Sequence, residues 1–172
     1  AGDCWVPRLP PITRTAGTAR VARVITIRTA RPGERPDIIE LQRRASLANP
    51  GDRDVLLEHP EAVDTPAEQF AAGQVTVAEI DGTILGFAVM VPREDGDLEL
   101  DALFTEPAAW RRGIARTLVS HGAERARADG VSVIHVIGNP HAEQFYLAAG
   151  FVPLRSADTE FGPATAYELR LA

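Results

Sequence analysis

Residues 97–105, DLELDALFT, alternate carboxylates with apolar side chains and run directly into PAAWRRGIA at residues 107–115. Period two is the signature of a strand, here with Asp97, Glu99 and Asp101 on one face and Leu98, Leu100 and Ala102 on the other. The second segment opens a helix, expected over residues 109–129, with Ala115, Leu118, Val119, Gly122 and Ala126 facing inward. The small residues on that face allow close approach to a sheet. The next apolar run, VSVIHVIG at residues 131–138, reads as a strand again. Strand, helix and strand joined this tightly form a right-handed crossover, so the two strands must be parallel. The helix then starts at the C-terminal end of the acid-bearing strand. Around Gly113 and Ala115 several N–H groups of that helix start are unpaired and unobstructed. With the positive end of the helix dipole, and with Arg111, Arg112 and Arg116 beside them, they suit a pyrophosphate.

The rest of the chain fits around this centre. Residues 24–28 alternate weakly and carry β-branched side chains, which suits a first strand. Residues 35–48 follow as a helix with Ile38, Leu41 and Ala45 on one stripe. Residues 49–51 are a turn signal, and 52–73 read as one or two short helices broken at Pro60 and Pro66. Residues 74–80 and 83–91 form a hairpin about Asp81-Gly82. Two closing strands are expected at 152–156 and 165–171. The fold class is α/β, a central twisted mixed sheet with helices on both faces.

Composition narrows the function classes. Hydrophobic residues make up 45% and charged residues 24% of 172, as in an ordinary soluble domain with a sizeable core. All 18 basic residues are arginine, which reads as coding bias rather than chemistry, and the net charge of −6 argues against a nucleic-acid binder. No apolar run is long enough to span a bilayer, and no apolar segment with a cleavage site marks a secretory leader. Cys4 alone permits no internal disulfide, so a reducing, cytoplasmic setting is the simplest reading. Residues 1–20 read as a flexible leader or expression remnant, with Trp5 and Val6 the anchors if it docks on the domain or a second subunit. The domain proper is expected over 21–172. Whether it forms a homodimer is left open.

A second motif, NPHAEQFYLAAGF, lies at residues 139–151. Asn139 can cap a helix, Pro140 fits its first turn, Ala142, Phe145 and Ala149 share a face, and Gly150 can end it. The two segments, one helix and one strand apart, resemble the Gcn5-related N-acetyltransferase (GNAT) superfamily. Its phosphate loop reads Gln/Arg-x-x-Gly-x-Gly/Ala and its later motif Asn-x-x-Ala-x-x-Phe-Tyr-x-x-x-Gly-Phe. Residues 25–42 resemble the family's first strand and helix, and the likeness spans about Val24 to Leu171. Trp110 stands where the family has Gln or Arg, which removes a polar side chain but no backbone N–H.

The resemblance implies an acyl-CoA N-acyltransferase fold and an acetyl-CoA-dependent N-acetyltransferase, without a metal, acting on a primary amine of a small molecule by direct attack in a ternary complex. A protein lysine or N-terminal acetyltransferase, or a non-catalytic acyl-CoA-binding module, are the alternatives. Such a reaction needs the cofactor held, the amine deprotonated, the oxyanion stabilised and the leaving thiolate protonated. Trp110, Arg111, Arg112, Gly113, Ile114, Ala115 and Arg116 would hold the diphosphate. Backbone groups of Leu103, Phe104 and Thr105 would pair with the pantetheine arm, assisted by Asn139, Ala142 and Phe145. The Leu103 N–H is the oxyanion donor, Glu99 the base with Asp101 second, and Tyr146 the acid. Asn139 is equally explained as a cap. Among the histidines only His59, in the region that roofs the acceptor site in the family, is a further candidate base. No spacing of His, Cys and carboxylates suggests a metal site.

Overall fold

The computed structural model describes residues 24–159 and 162–171. Expectations about residues 1–20, including Trp5 and Val6, lie outside the described residues. One seven-stranded sheet contains β1 (Thr26–Thr29), β2 (Val75–Ile80), β3 (Thr83–Pro92), β4 (Leu98–Thr105), β5 (Val133–Gly138), β6 (Val152–Thr159) and β7 (Gly162–Arg170). The strand order is β1-β2-β3-β4-β5-β7-β6. Every neighbouring pair is antiparallel except β4 and β5, the parallel pair that the crossover requires.

The described residues form five α-helices: α1 (Arg35–Ala48), α2 (Pro50–Glu58), α3 (Ala67–Ala71), α4 (Ile114–Ala128) and α5 (Glu143–Ala148). The α1 stripe falls as its periodicity requires, with Ile38, Leu41 and Ala45 all buried. It packs with Phe70 of α3 onto Val75, Val77, Phe87 and Val89 on one face of the sheet. On the opposite face Leu118, Val119 and Ala123 of α4 meet Leu100, Ile134 and Val136, with Tyr146 of α5 completing the layer. Each fully buried Leu or Ile contributes about 1.5–3 kcal/mol of transfer free energy, so both faces are anchored independently. Arg28 ties the edge together, reaching Glu34 at 2.7 Å and Glu79 at 2.8 Å. No helix among the described residues is long and apolar enough to cross a membrane.

The segment between β4 and α4 departs from expectation. The long helix begins at Ile114, not at residue 109. Pro107–Ala109 form a single 3-10 turn, Trp110 is extended, and Arg111 and Gly113 take positive φ of 62° and 81°. Left-handed residues cannot sit inside an α-helix, so the helix waits until they are past. Its buried face is also rotated slightly. Ile114 and Ala123 are buried, whereas Ala115 and Gly122 lie at the margin, because the larger Ile114 takes the core position.

A second departure lies in β4. The register against β3 pairs Ala102 with Val89 and Leu100 with Met90, leaving Asp101 as the extra residue of a β-bulge. Leu98, Leu100 and Leu103 consequently pack toward α4, while Ala102 and Phe104 pack toward α1. Strict alternation would have put Leu103 on the other face. Phe104 thereby stacks on Phe87, ring centroids 5.6 Å apart.

Candidate active site

β4 and β5 are paired at only two positions, Leu98 with Ile134 and Glu99 with His135. Asp97 staples this closed end, accepting the Val133 N–H at 3.1 Å and lying 3.1 Å from His135 Nε2. Beyond Glu99, β4 pairs only with β3 and β5 only with β7. The sheet opens there, and a cavity of about 1310 Å³ occupies the opening.

The ladder itself shows which backbone groups face the gap. The Glu106 N–H donates to the Leu85 carbonyl at 2.8 Å, so residues 106, 104 and 102 form the hydrogen-bonded pairs with β3. Leu103 and Thr105 occupy the alternate positions, and their N–H groups point away from β3, toward the vacated side. The Thr105 carbonyl on that side accepts from Trp110 Nε1 at 3.0 Å. A peptide-like arm could therefore add to β4 as a strand does.

The cavity's other wall is the start of α4. Among the described residues, the N–H groups of Arg111 through Arg116 donate to no other residue. Trp110 is different: its N–H is spent on the Pro107 carbonyl at 3.2 Å, so it drops out of the expected set of donors. Its indole, 44% exposed, still lines the cavity. Every other residue expected to hold the cofactor also lines it, except Arg112. A run of free amides at a helix N-terminus, with Arg111 and Arg116 beside it, matches a diphosphate in charge and in hydrogen-bonding demand.

The candidate catalytic side chains converge on the same space. Glu99 and Asp101 both line it. Arg93 donates to Glu99 Oε2 at 3.1 Å, and Gln69 of α3 donates to Asp101 Oδ2 at 2.9 Å. Tyr146 lies on α5, 8% exposed, in edge contact with Phe145 and Phe151. Burial pushes its phenol up to about 12, with smaller contributions from Tyr167 and Asp52. His59 caps α2 beside Glu61 and does not line the cavity. Folding also gathers Asp95, Asp97 and His135, with ligand atoms within 4.8 Å of one another, a grouping their spacing concealed. Arg93 already pairs Asp95 at 3.0 Å, and none of the three lines the cavity.

One cavity residue escaped the sequence reading. Asp52, in the first turn of α2, accepts from Asn139 Nδ2 at 2.8 Å and from Asn49 Nδ2 at 2.9 Å. Burial raises its pKa, partly offset by those two amides and by His141. In the sequence it looks like part of an Asn-Pro-Gly-Asp turn, and its contact with Asn139 spans 87 positions.

Known proteins of the same family and fold are similar to this chain. The chain is 29% identical over 164 residues to the mycothiol acetyltransferase of Sanguibacter keddieii, which covers 87% of the chain and 52% of that protein. It thus spans about half the length of this curated relative. Two solved structures share the fold. The PaiA N-acetyltransferase of Thermoplasma acidophilum, in complex with coenzyme A, superposes with a TM-score of 0.68 at 17% identity, covering 86% of the chain and 99% of its own. YncA of Salmonella typhimurium, with its cofactor acetyl-CoA, gives 0.67 at 23% identity, covering 87% and 95%. The model of the acetyltransferase (GNAT) family matches residues 37–151, a stretch that includes both the glycine loop and the Asn139–Phe151 motif. On that match, the chain belongs to the acetyltransferase (GNAT) family.

Proposed function

We propose that the chain transfers an acetyl group from acetyl-CoA to the primary amine of a small molecule, by direct attack with both substrates bound. The observation that carries this reading is one cavity whose lining includes the free-amide loop before α4, the opened edge of β4 and the carboxylates of Asp52, Asp64, Glu99 and Asp101. Acetyl-CoA, when bound, supplies an acetyl group activated as a thioester. The amides of Arg111 through Arg116, with Arg111 and Arg116 side chains, bind its diphosphate. The gap-facing N–H of Thr105 receives the pantetheine arm, and the Leu103 N–H is offered to the carbonyl oxygen where charge develops.

An alkyl ammonium has a pKa of roughly 10, so nearly all acceptor arrives protonated at neutral pH and cannot attack. Glu99 is the assigned base, directly or through a water. Arg93 engages its Oε2, and Oε1 is engaged by no described residue. Asp101, exposed on the bulge, is the second choice. Tyr146 gives its proton to the departing sulfur; burial keeps the phenol neutral, so that proton is present throughout the neutral range. The products are an amide, free thiol and one proton. Similarity to a mycothiol acetyltransferase, named for a small molecule, supports a small-molecule acceptor over a protein one. The test is thiol release from acetyl-CoA across small amines, amino acids and peptides. Turnover confined to peptides would transfer the reading to protein acetylation.

A further inference from the structure

The four aspartates and glutamates that line the cavity, Asp52, Asp64, Glu99 and Asp101, are not equivalent. Asp64 is paired with Arg35 at 2.6 Å, and Glu99 with Arg93 at 3.1 Å. Asp101 has only Gln69, but it is exposed and solvated. Asp52 is half-buried and receives only two neutral amides, one on each carboxylate oxygen. Among the described residues no arginine or histidine forms an ion pair with it. A desolvated carboxylate without a cation is unfavourable, and a bound cation relieves that cost. The surrounding structure nevertheless holds it in place. Asn49 caps α2 through its Oδ1 while its Nδ2 holds Asp52. Asn139 does the same just beyond β5, accepting the Ala142 N–H on its Oδ1 and donating from its Nδ2 to Asp52. Two amides are thus each used at both ends to aim one carboxylate into the cavity beside Tyr146. The other titratable groups facing it are Tyr146 from α5 and His141, whose ring packs against Gly51.

We infer that Asp52, oriented by Asn49 and Asn139, is the specificity residue that binds the ammonium group of the acceptor, selecting acceptors that arrive as cations. The inference rests on the acetyl-transfer reading, and it adds the charge class of the acceptor and the group that recognises it. Each Asp52 oxygen accepts one amide hydrogen and retains a lone pair for an N⁺–H donor, giving a charge-assisted bond within the cavity. Glu99 remains the group to which the proton goes. Asp52 sets where the amine waits.

The test compares two acceptors at neutral pH, butan-1-amine, which is cationic, and methoxyamine, which is uncharged. Asp52→Asn keeps the shape of the side chain and removes its charge; its NH2 replaces one of the two accepting oxygens, so one of the two amide contacts is given up, a loss that does not depend on the charge of the acceptor. The expected result is a KM for butan-1-amine raised at least tenfold with kcat little changed, while kcat/KM for methoxyamine stays within about twofold. Equal losses on both acceptors would overturn the inference, since a merely structural Asp52 does not sense acceptor charge. An unchanged KM for butan-1-amine would overturn it too. Calorimetric titration of butane-1,4-diamine into the coenzyme A complex separates the two layers. If the protein turns over no amine but binds the diamine, and Asp52→Asn abolishes that binding, acetyl transfer fails while the cation site stands. If neither protein binds the diamine, the cation site itself is overturned.

Discussion

The ring of Tyr146 rests directly on the backbone of Gly138. A Cβ built at Gly138 would overlap that ring, meeting Tyr146 Cδ2 at 2.9 Å and Tyr167 Cε2 at 3.2 Å. The last residue of β5 therefore sets the height of the phenol above the opened sheet. Gly138→Ala is expected to cost about 1–3 kcal/mol of stability by overpacking. It should also lower kcat more than tenfold while acetyl-CoA still binds. Denaturant melts alongside steady-state kinetics check both halves, and a stable variant with wild-type kcat would show that the position of the phenol does not matter.

Replacing Tyr146 by Phe removes the proton but keeps the ring contacts with Phe145, Phe151 and Tyr167. A general acid typically contributes on the order of 10²–10⁴ in rate, so kcat should fall within that range with acetyl-CoA affinity nearly intact. The pH profile gives an independent check. With the phenol raised from the ordinary 10 to about 12, it stays protonated well above pH 9. Wild-type kcat should show no decline near pH 10 attributable to this group; a falling limb there, absent in Tyr146→Phe, would keep Tyr146 as the acid but show that burial does not raise its pKa, whereas a Tyr146→Phe rate equal to wild type at every pH would overturn the assignment.

Gly113 has φ of 81° and open space around its missing side chain. A β-branched residue there meets conformational strain, not a clash, and the strain falls on the loop whose amides are proposed to cradle the diphosphate. Acetyl-CoA at a hundred times its Kd should stabilise the wild-type protein by about 2.7 kcal/mol. In Gly113→Val the melting temperature without ligand should fall modestly and the ligand-induced rise should vanish. A wild-type protein unmoved by millimolar acetyl-CoA would remove the cradle from the mechanism.

For the base, Glu99→Gln should reduce kcat/KM by about 10²–10⁴ at neutral pH. Activity should recover toward alkaline pH, where solvent supplies the free amine. The comparison variant is Asp101→Asn, whose carboxylate lies on the bulge and hydrogen-bonds Gln69. Should Asp101→Asn show the large, pH-dependent loss and Glu99→Gln none, proton removal belongs one residue pair farther along β4.

Much of this architecture was legible because it is local. The α1 stripe of Ile38, Leu41 and Ala45, the hairpin at Asp81-Gly82 and the parallel β4–α4–β5 crossover follow from periodicity, turn chemistry and chain connectivity. The features that were not legible depend on context. Nothing in DLELDALFT marks Asp101 as a bulge, because that is a property of its register with Val89 and Met90. The helix start at 109 failed because good helix formers such as Ala108 and Ala109 precede Arg111, a left-handed residue that propensity does not reveal. The Asp52–Asn139 contact joins two segments that each satisfy a local capping pattern by themselves. Gln69 keeps an unpartnered buried Oε1 beside Asp101, and the structure offers no physical account of it.

The seam between β4 and β5 has a mechanical consequence. Among the described residues, two register pairs and the Asp97 staple are the only backbone-level stitching between a four-stranded half-sheet, β1 to β4, and a three-stranded one, β5 to β7. A ligand arm laid along the exposed edge of β4 would complete a row of hydrogen bonds that the polypeptide leaves unfinished, acting as an eighth strand that the protein borrows. Across the seam the empty protein then relies on the packing of Leu100, Ile134 and Val136 under α4, and the loaded one would add a continuous ladder of main-chain hydrogen bonds to it.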